Sequence, residues 1–329
     1  MIKAAVIGLG WWGQTILRTL LKSTIIAPVL AVDPLDQARA SAAALGVETT
    51  PRFEDALAST NVDAVILCTP QRHHAEQIIA AARSGRHVFC EKPLCTSVAD
   101  AEAAIAAVRN AGVQLGLGHE RRFEPAVIEM RQRFASGEFG NPLLLEGNFS
   151  QDIFLKLPRD NWRLSKEVNP AGPLSATGIH MVDISIALLG RPTRVWARLA
   201  QLGSDFANGD TLSITLGFES GATAMLGAVL ATPFLGRLAL LGSKGWMEIR
   251  DRSHPENSTG WDVTRVYRDE APATAFYPPH PAVRDNLEAF GRAALGEAPY
   301  PIALDEMLMN IRSFEAIQQS VKSGAIEII

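Results

Sequence analysis

The chain has 329 residues, more than one ordinary core holds, so two domains are expected. Apolar residues make up 47% and charged residues 20%, the balance of a soluble folded protein. A net charge of −4 without a basic run argues against a nucleic-acid or anionic-membrane surface, so neither partner is expected.

The first apolar run, Lys3 to Ile7, could be mistaken for a secretory segment. It lacks a cleavage pattern and is too short to span a bilayer, so it reads as a buried strand of a cytoplasmic protein. Gly8-Leu9-Gly10-Trp11-Trp12-Gly13 follows at once, and Gln14 to Lys22 has helical spacing. A G-x-G-x-x-G loop between strand and helix fits a dinucleotide: tight turn, close approach of backbone to pyrophosphate, close helix packing. The second strand, Val29 to Val32, ends in Asp33, which can accept from ribose hydroxyls and would repel a 2′-phosphate. Arg39 is the nearest cation, so NAD is favoured over NADP. A turn-capping role for Asp33 before Pro34 is the alternative.

Thr49 to Phe53 reads as a loop and Phe53 to Ala58 as a small helix. The next buried strand, Val62 to Cys68, stops at Thr69-Pro70, and Gln71 to His74 cap a helix that Gly85 ends. His73 and His74 lack acidic or thiol partners at ligand spacing, and Cys68, Cys90 and Cys95 form no CxxC pair. No metal is expected, and the cysteines read as core residues in a reducing compartment. Val88 to Cys90 is a buried strand that ends abruptly in Glu91-Lys92-Pro93. Pro93 blocks further pairing and leaves Lys92 at the sheet edge where open α/β folds bind ligands. Ser97 caps a helix to Asn110, and a last short strand, Val113 to Gly118, completes a doubly wound parallel α/β sheet over residues 1–119.

The pattern then changes. One helix is expected from His119 to Phe134, then a strand from Leu143 to Ser150. Six further strands lie between Thr193 and Tyr267, and helices cover Val283 to Leu295 and Asp305 to Ser323. Residues 120–329 thus read as an α+β domain with a mixed or antiparallel sheet. One helix, preceded by the loop 169–178, interrupts these strands and ends at Leu189-Gly190. It carries His180 and Asp183 three apart on one face, as a general base held in one orientation would be. A solvated His-Asp pair at a helix start is the other reading.

Taken together these residues resemble the Gfo/Idh/MocA family of nicotinamide-dependent oxidoreductases. The resemblance rests on the glycine loop, Cys68-Thr69-Pro70 with His74, Glu91-Lys92-Pro93, Arg121-Arg122-Phe123-Glu124-Pro125, Trp162-Arg163, Gly178 to Asp183 and the last helices. It implies a Rossmann domain followed by an α+β domain with a large open sheet that joins subunits into a homodimer or homotetramer. It implies cofactor contacts at the loop residues Gly8 to Gly13, Asp33, Thr69, Pro70, His74, Glu91 and Lys92. Lys92 would hold the substrate oxygen, His180 would be the base, and Asp183 would orient it or touch substrate. Arg122, Trp162, Arg163 and Asp183 are the candidates for substrate binding. The implied activity is hydride transfer between NAD and a sugar, polyol or related cyclic hydroxy or carbonyl compound. Redox-neutral glycoside cleavage with NAD, or a non-catalytic dinucleotide sensor, is the alternative. One departure stands out: polyol-oxidising members carry Asp-x-Gly-x-His, and here Ala176 takes the aspartate position.

Overall fold

The computed structural model describes residues 1–329. Its elements begin β1 (Ile2–Ile7), α1 (Trp11–Leu20), β2 (Ile26–Val32), α2 (Asp36–Ala43), β3 (Glu48–Thr50), α3 (Phe53–Ala58) and β4 (Ala64–Leu67). They continue α4 (His74–Arg83), β5 (His87–Cys90), α5 (Val98–Ala111), β6 (Leu115–Leu117), α6 (Pro125–Ala135), β7 (Pro142–Ser150) and α7 (Ile179–Leu189). Then come β8 (Pro192–Ala200), β9 (Thr211–Phe218), β10 (Thr223–Val229), β11 (Leu235–Gly242), β12 (Gly245–Asp251) and β13 (Trp261–Tyr267). β14 (Ala273–Tyr277), α8 (Ala282–Ala294), α9 (Leu304–Ser323) and β15 (Glu327–Ile328) end the chain. No helix is long and apolar enough to cross a membrane. Two compact units result: Met1–Glu120 with Pro281–Ile311, and Arg121–His280 with Arg312–Ile329.

The first unit is the expected doubly wound sheet. Six parallel strands stand in the order β3-β2-β1-β4-β5-β6, which reverses direction between β1 and β4. In such sheets ligands bind outside the strand carboxyl ends at that switch point. The buried stripe Ile16, Leu17 and Leu20 seats α1 on the sheet. α8 belongs to this unit. Gly116 on β6 leaves room for Phe290, since a Cβ there would lie 2.7 Å from Phe89 and 2.9 Å from Phe290. Asn286 donates to the Leu117 carbonyl at 2.9 Å, and the Leu117 N–H donates to the Tyr300 hydroxyl at 3.1 Å. The exposed edge of β6 is thereby covered, as sheet edges generally must be.

The second unit holds nine strands ordered β14-β13-β12-β11-β7-β10-β9-β8-β15, antiparallel except where β7 meets β10. Gly147 lets α7 lie close: a Cβ there would meet Leu226 at 2.9 Å and the Met181 sulfur at 3.2 Å.

Four expectations need correction. Residues 48–50 form β3, paired with β2, so the expected loop there is a short strand. The single helix from 119 to 134 is broken. A 3₁₀ turn (Glu120–Phe123) is followed by α6 with Pro125 in its first turn, because proline forces Glu124 into an extended conformation. Leu174–Gly178, expected as loop, is a turn of π-helix leading into α7. β14 and β15 add to the expected strands; both are short and lie at sheet ends.

Candidate active site

In the first unit the glycine loop joins β1 to α1 at the switch point. Gly8 has φ +88°, and a Cβ on it would stand 2.9 Å from the carbonyl group of Cys68, at the end of β4. A Cβ on Gly13 would meet the Gly8 carbonyl oxygen at 1.8 Å. Around Gly10 there is open space, with nothing within 4 Å of an added Cβ. No side chain caps α1, so the N–H groups of its first turn have no helical acceptor and concentrate partial positive charge there. A pyrophosphate is a group of the shape and charge that this cradle accepts. Asp33 at the end of β2 accepts from the N–H of Leu9 at 2.7 Å and of Leu35 at 2.9 Å. It therefore caps its own turn and fixes the loop, and four lone-pair positions on a carboxylate leave room for a ribose hydroxyl as well.

Two buried titratable side chains lie along the same edge. His74 begins α4 with Nδ1 2.8 Å from the Pro93 carbonyl and Nε2 2.9 Å from that of Thr69. It clamps the turn after β4 to the turn after β5. Burial pushes its pKa down, opposed by the Pro93 and Thr69 carbonyls. Glu91 is buried against Gly118, where a Cβ would approach its carboxyl oxygen to 2.5 Å. Burial, and then the charge of Glu120, raise its pKa to about 7 against the opposing influence of the Trp12 indole and Lys92. Lys92, half-buried, follows directly, ahead of a cis bond to Pro93. The Thr69 hydroxyl donates to Gln77 at 2.6 Å. The loop residues, Asp33, Thr69, Pro70, His74, Glu91 and Lys92 thus lie at the carboxyl ends of β1, β2, β4 and β5.

In the second unit His180 and Asp183 are 4% and 2% exposed, which removes the reading of a solvated pair. Asp183 accepts two hydrogen bonds of 2.7 Å from the Nε and Nη2 of Arg122, itself buried. The Phe149 ring lies 5.8 Å from that of His180. Trp162 and Arg163 share a 3₁₀ turn capped by Asn161, with the guanidinium 4.5 Å over the indole. Burial lowers the Arg163 pKa. Ala176 packs beside the apolar group Leu164, Phe206 and Leu230.

Comparison with known proteins agrees with this architecture. Residues 2–119 match the profile described as an oxidoreductase family with an NAD-binding Rossmann fold, and residues 127–248 match the GFO/IDH/MocA C-terminal domain. The D-xylose 1-dehydrogenase (NADP(+)) 2 of Haloferax volcanii is 30% identical over 301 residues, 90% of each chain. The chain belongs to the Gfo/Idh/MocA oxidoreductase family. The scyllo-inositol 2-dehydrogenase (NAD(+)) of Bacillus subtilis is 31% identical over 269 residues, 77% of this chain and 75% of the relative. The crystal structure of aldose-aldose oxidoreductase from Caulobacter crescentus superposes with TM-score 0.88 at 26% identity, covering 100% of this chain and 99% of that one.

This Gfo/Idh/MocA chain is thus an NAD(P)-dependent dehydrogenase or reductase, and its relatives include both NAD and NADP enzymes. Sequence reasoning passed over Phe149, Gln151, Phe234 and His254, which gather near His180. The available signal was the alternation Gly147, Phe149 on β7, which puts both on the face that meets α7, with Gln151 next beyond the strand end.

The environment of Glu91 makes a prediction about stability. Its carboxyl titrates near pH 7 in the folded chain against an ordinary 4.5, so between those values the folded chain holds the extra proton. Its contribution to stability therefore falls as pH rises from 4.5 to 7 and is level outside that window. Glu91→Gln should remove the fall, gaining on the native protein across the window by up to about 3 kcal/mol, at 1.36 kcal/mol per pKa unit. Urea titrations at several pH values measure this; parallel pH profiles would show that Glu91 does not titrate there.

Proposed function

We propose that this oxidoreductase moves hydride between a nicotinamide and a CH–OH carbon of a sugar, polyol or related cyclic hydroxy compound, with Lys92 and His180 acting at that carbon. Residues 1–119 carry the dinucleotide and 120–329 the substrate. The observation that carries the reading is the fit at one sheet edge: an uncapped α1 with open space at Gly10, beside the strand end that presents Lys92. Whole-length likeness to sugar and inositol dehydrogenases supports the substrate class. When bound, the cofactor supplies the hydride acceptor. Thr69, Pro70 and Glu91 line its bed, and His74 holds that lining in place.

In the oxidative direction His180 takes the hydroxyl proton. The Lys92 ammonium hydrogen-bonds the same oxygen and stabilises alkoxide character as the C–H bond breaks. Asp183, tied to Arg122, fixes the helix turn that carries the base. Arg122, Trp162 and Arg163 complete the substrate side.

An NADH-absorbance screen over neutral sugars, polyols and aldonates tests the reading. Net NADH formation supports it; sugar release without net NADH change would indicate redox-neutral glycoside cleavage, and binding without either would indicate a sensor. On a turned-over substrate Lys92→Ala should lower the rate at least ~10²-fold with NADH binding retained. His180→Ala should flatten one limb of the pH–rate profile. Unchanged turnover or an unchanged profile removes the residue from the mechanism.

NAD is the preferred cofactor. Asp33 would repel a 2′-phosphate, while Arg39 donates to the Asp33 carbonyl at 2.6 Å and pairs with Asp36. The kcat/KM for NAD should exceed that for NADP at least ~10-fold, one hydrogen-bonding or charge contact's worth, and Asp33→Asn should narrow the gap. A native preference for NADP would reverse the assignment.

The second sheet is read as the surface that joins subunits into a homodimer or homotetramer. Trp196, Thr215 and Met225 form a cross-strand row on β8, β9 and β10, with Trp196 39% and Met225 52% exposed. Light scattering should give a multiple of the 35.5 kDa chain mass, and Met225→Glu should reduce it; a monomer would rule this surface out as an interface. The three cysteines are free, which suits a reducing cytoplasm.

A further inference from the structure

Three neighbouring strand ends of the second sheet meet beside His180. Leu235 at the start of β11 pairs with Ser150 at the end of β7, and β12 runs back beside β11 to Asp251. Gln151, Phe234 and His254 lie just beyond these paired ends. Their rings form one cluster: Phe149 is 5.8 Å from His180, 5.8 Å from His254 and 6.2 Å from Phe234, and Phe234 lies edge-on to His254 at 5.4 Å.

The polar atoms of the cluster are oriented. His254 Nδ1 accepts from the Glu256 N–H at 3.3 Å, so the proton of the neutral ring sits on Nε2. That Nε2–H donates to Gln151 Oε1 at 2.5 Å. The Gln151 amide is thereby fixed with its NH₂ turned away from His254. Gln151 is only 7% exposed, yet that NH₂ donates to no group in the chain. The amide nitrogen keeps a little accessible surface, so a ligand can reach a donor that no group of the chain occupies.

The electrostatics select the kind of acceptor. Arg121, 3% exposed, stacks 5.2 Å over Phe149 and donates to both Glu124 and Asp251. Two buried carboxylates thus face one guanidinium. Although burial opposes its charge, Asp251 and Glu124 raise the Arg121 pKa. Burial and then the Arg121 charge lower that of His254, so this ring adds no cation. Flat apolar rings beside one neutral donor match a cyclic sugar or polyol, which offers a C–H face and hydroxyl oxygens. Two carboxylates against one guanidinium leave a net negative charge behind Phe149, so a ligand carboxylate placed against these rings would be repelled.

We infer that Gln151, held by His254 against the Phe149 and Phe234 rings, is a specificity-determining donor that grips a hydroxyl of a neutral cyclic sugar or polyol and disfavours the corresponding sugar acids. The inference rests on the dehydrogenase reading for its choice of substrate class, but its test does not need turnover. Calorimetry on the full chain saturated with NADH would compare D-xylose, D-glucose and myo-inositol with D-xylonate, D-gluconate and D-glucuronate. At least one neutral compound should bind roughly tenfold more tightly than any acid. Gln151→Glu keeps the bond from His254 but replaces the donor, and should weaken that binding roughly tenfold, the scale of one lost hydrogen bond. Gln151→Met should do the same, and His254→Phe, which frees the amide, should give part of the loss; NADH affinity measured by fluorescence should stay unchanged in all three. Acids binding as tightly as neutral compounds, no neutral compound binding, or indifference to both Gln151 variants would overturn the proposal. Binding that depends on Gln151 without net NADH change would keep this subsite and remove the dehydrogenase reading. Turnover of a sugar that both Gln151 variants leave untouched would do the reverse.

Discussion

A Cβ on Gly13 would stand 1.8 Å from the Gly8 carbonyl oxygen, and one on Gly8 would stand 2.9 Å from the Cys68 carbonyl group. Hydrogen in both places is what allows α1 to start against β1 and the loop to rest on the end of β4. The rest of that edge is built outward from this contact. Asp33 reaches the Leu9 N–H only because the loop lies flat on the strand ends. From β4 the chain turns through Thr69, and His74 ties that turn to the one after Lys92. A larger residue at either glycine would displace α1 and with it the groups that depend on its position.

His74 and Glu91, both buried along this edge, are biased toward neutrality. Burial opposes the cation at His74 and the anion at Glu91. With Glu91 titrating near pH 7, the negative charge beside Lys92 is only partly developed at neutral pH. A fully ionised neighbour would compete with a substrate oxygen for the lysine's donors. The arrangement costs stability, which is common where a fold holds a group ready for chemistry.

Most of the first sheet was legible because its signals are local. Buried strands are unbroken apolar runs, the glycine loop sits between strand and helix, and Ser97 and Gly112 mark the two ends of α5. The break before α6 was also written locally, in Pro125, but the apolar spacing across it outweighed that signal in the reading. β3 escaped because three residues carry no periodicity, and its identity comes from pairing with β2. The cluster around Gln151 escaped for a stronger version of the same reason. Gln151, Phe234 and His254 are far apart in the chain, and only the register of β7, β11 and β12 makes them neighbours.

Ala176 takes on meaning through what surrounds it. A carboxylate in its place would enter an apolar group formed by Leu164, Phe206 and Leu230, where an unpaired charge is expensive. Asp183 is already bonded twice by Arg122, so much of its accepting capacity is committed. A sugar hydroxyl can be recognised by an acceptor, which takes its proton, or by a donor, which bonds its oxygen. On the proposed sugar reading, one carboxylate position is apolar and another is engaged, which favours the second mode. Gln151 supplies a donor whose direction is set by His254 rather than by its own rotamer freedom. On that reading Ala176 is compatible with sugar binding, because the recognition would come from a donor rather than from a carboxylate at 176.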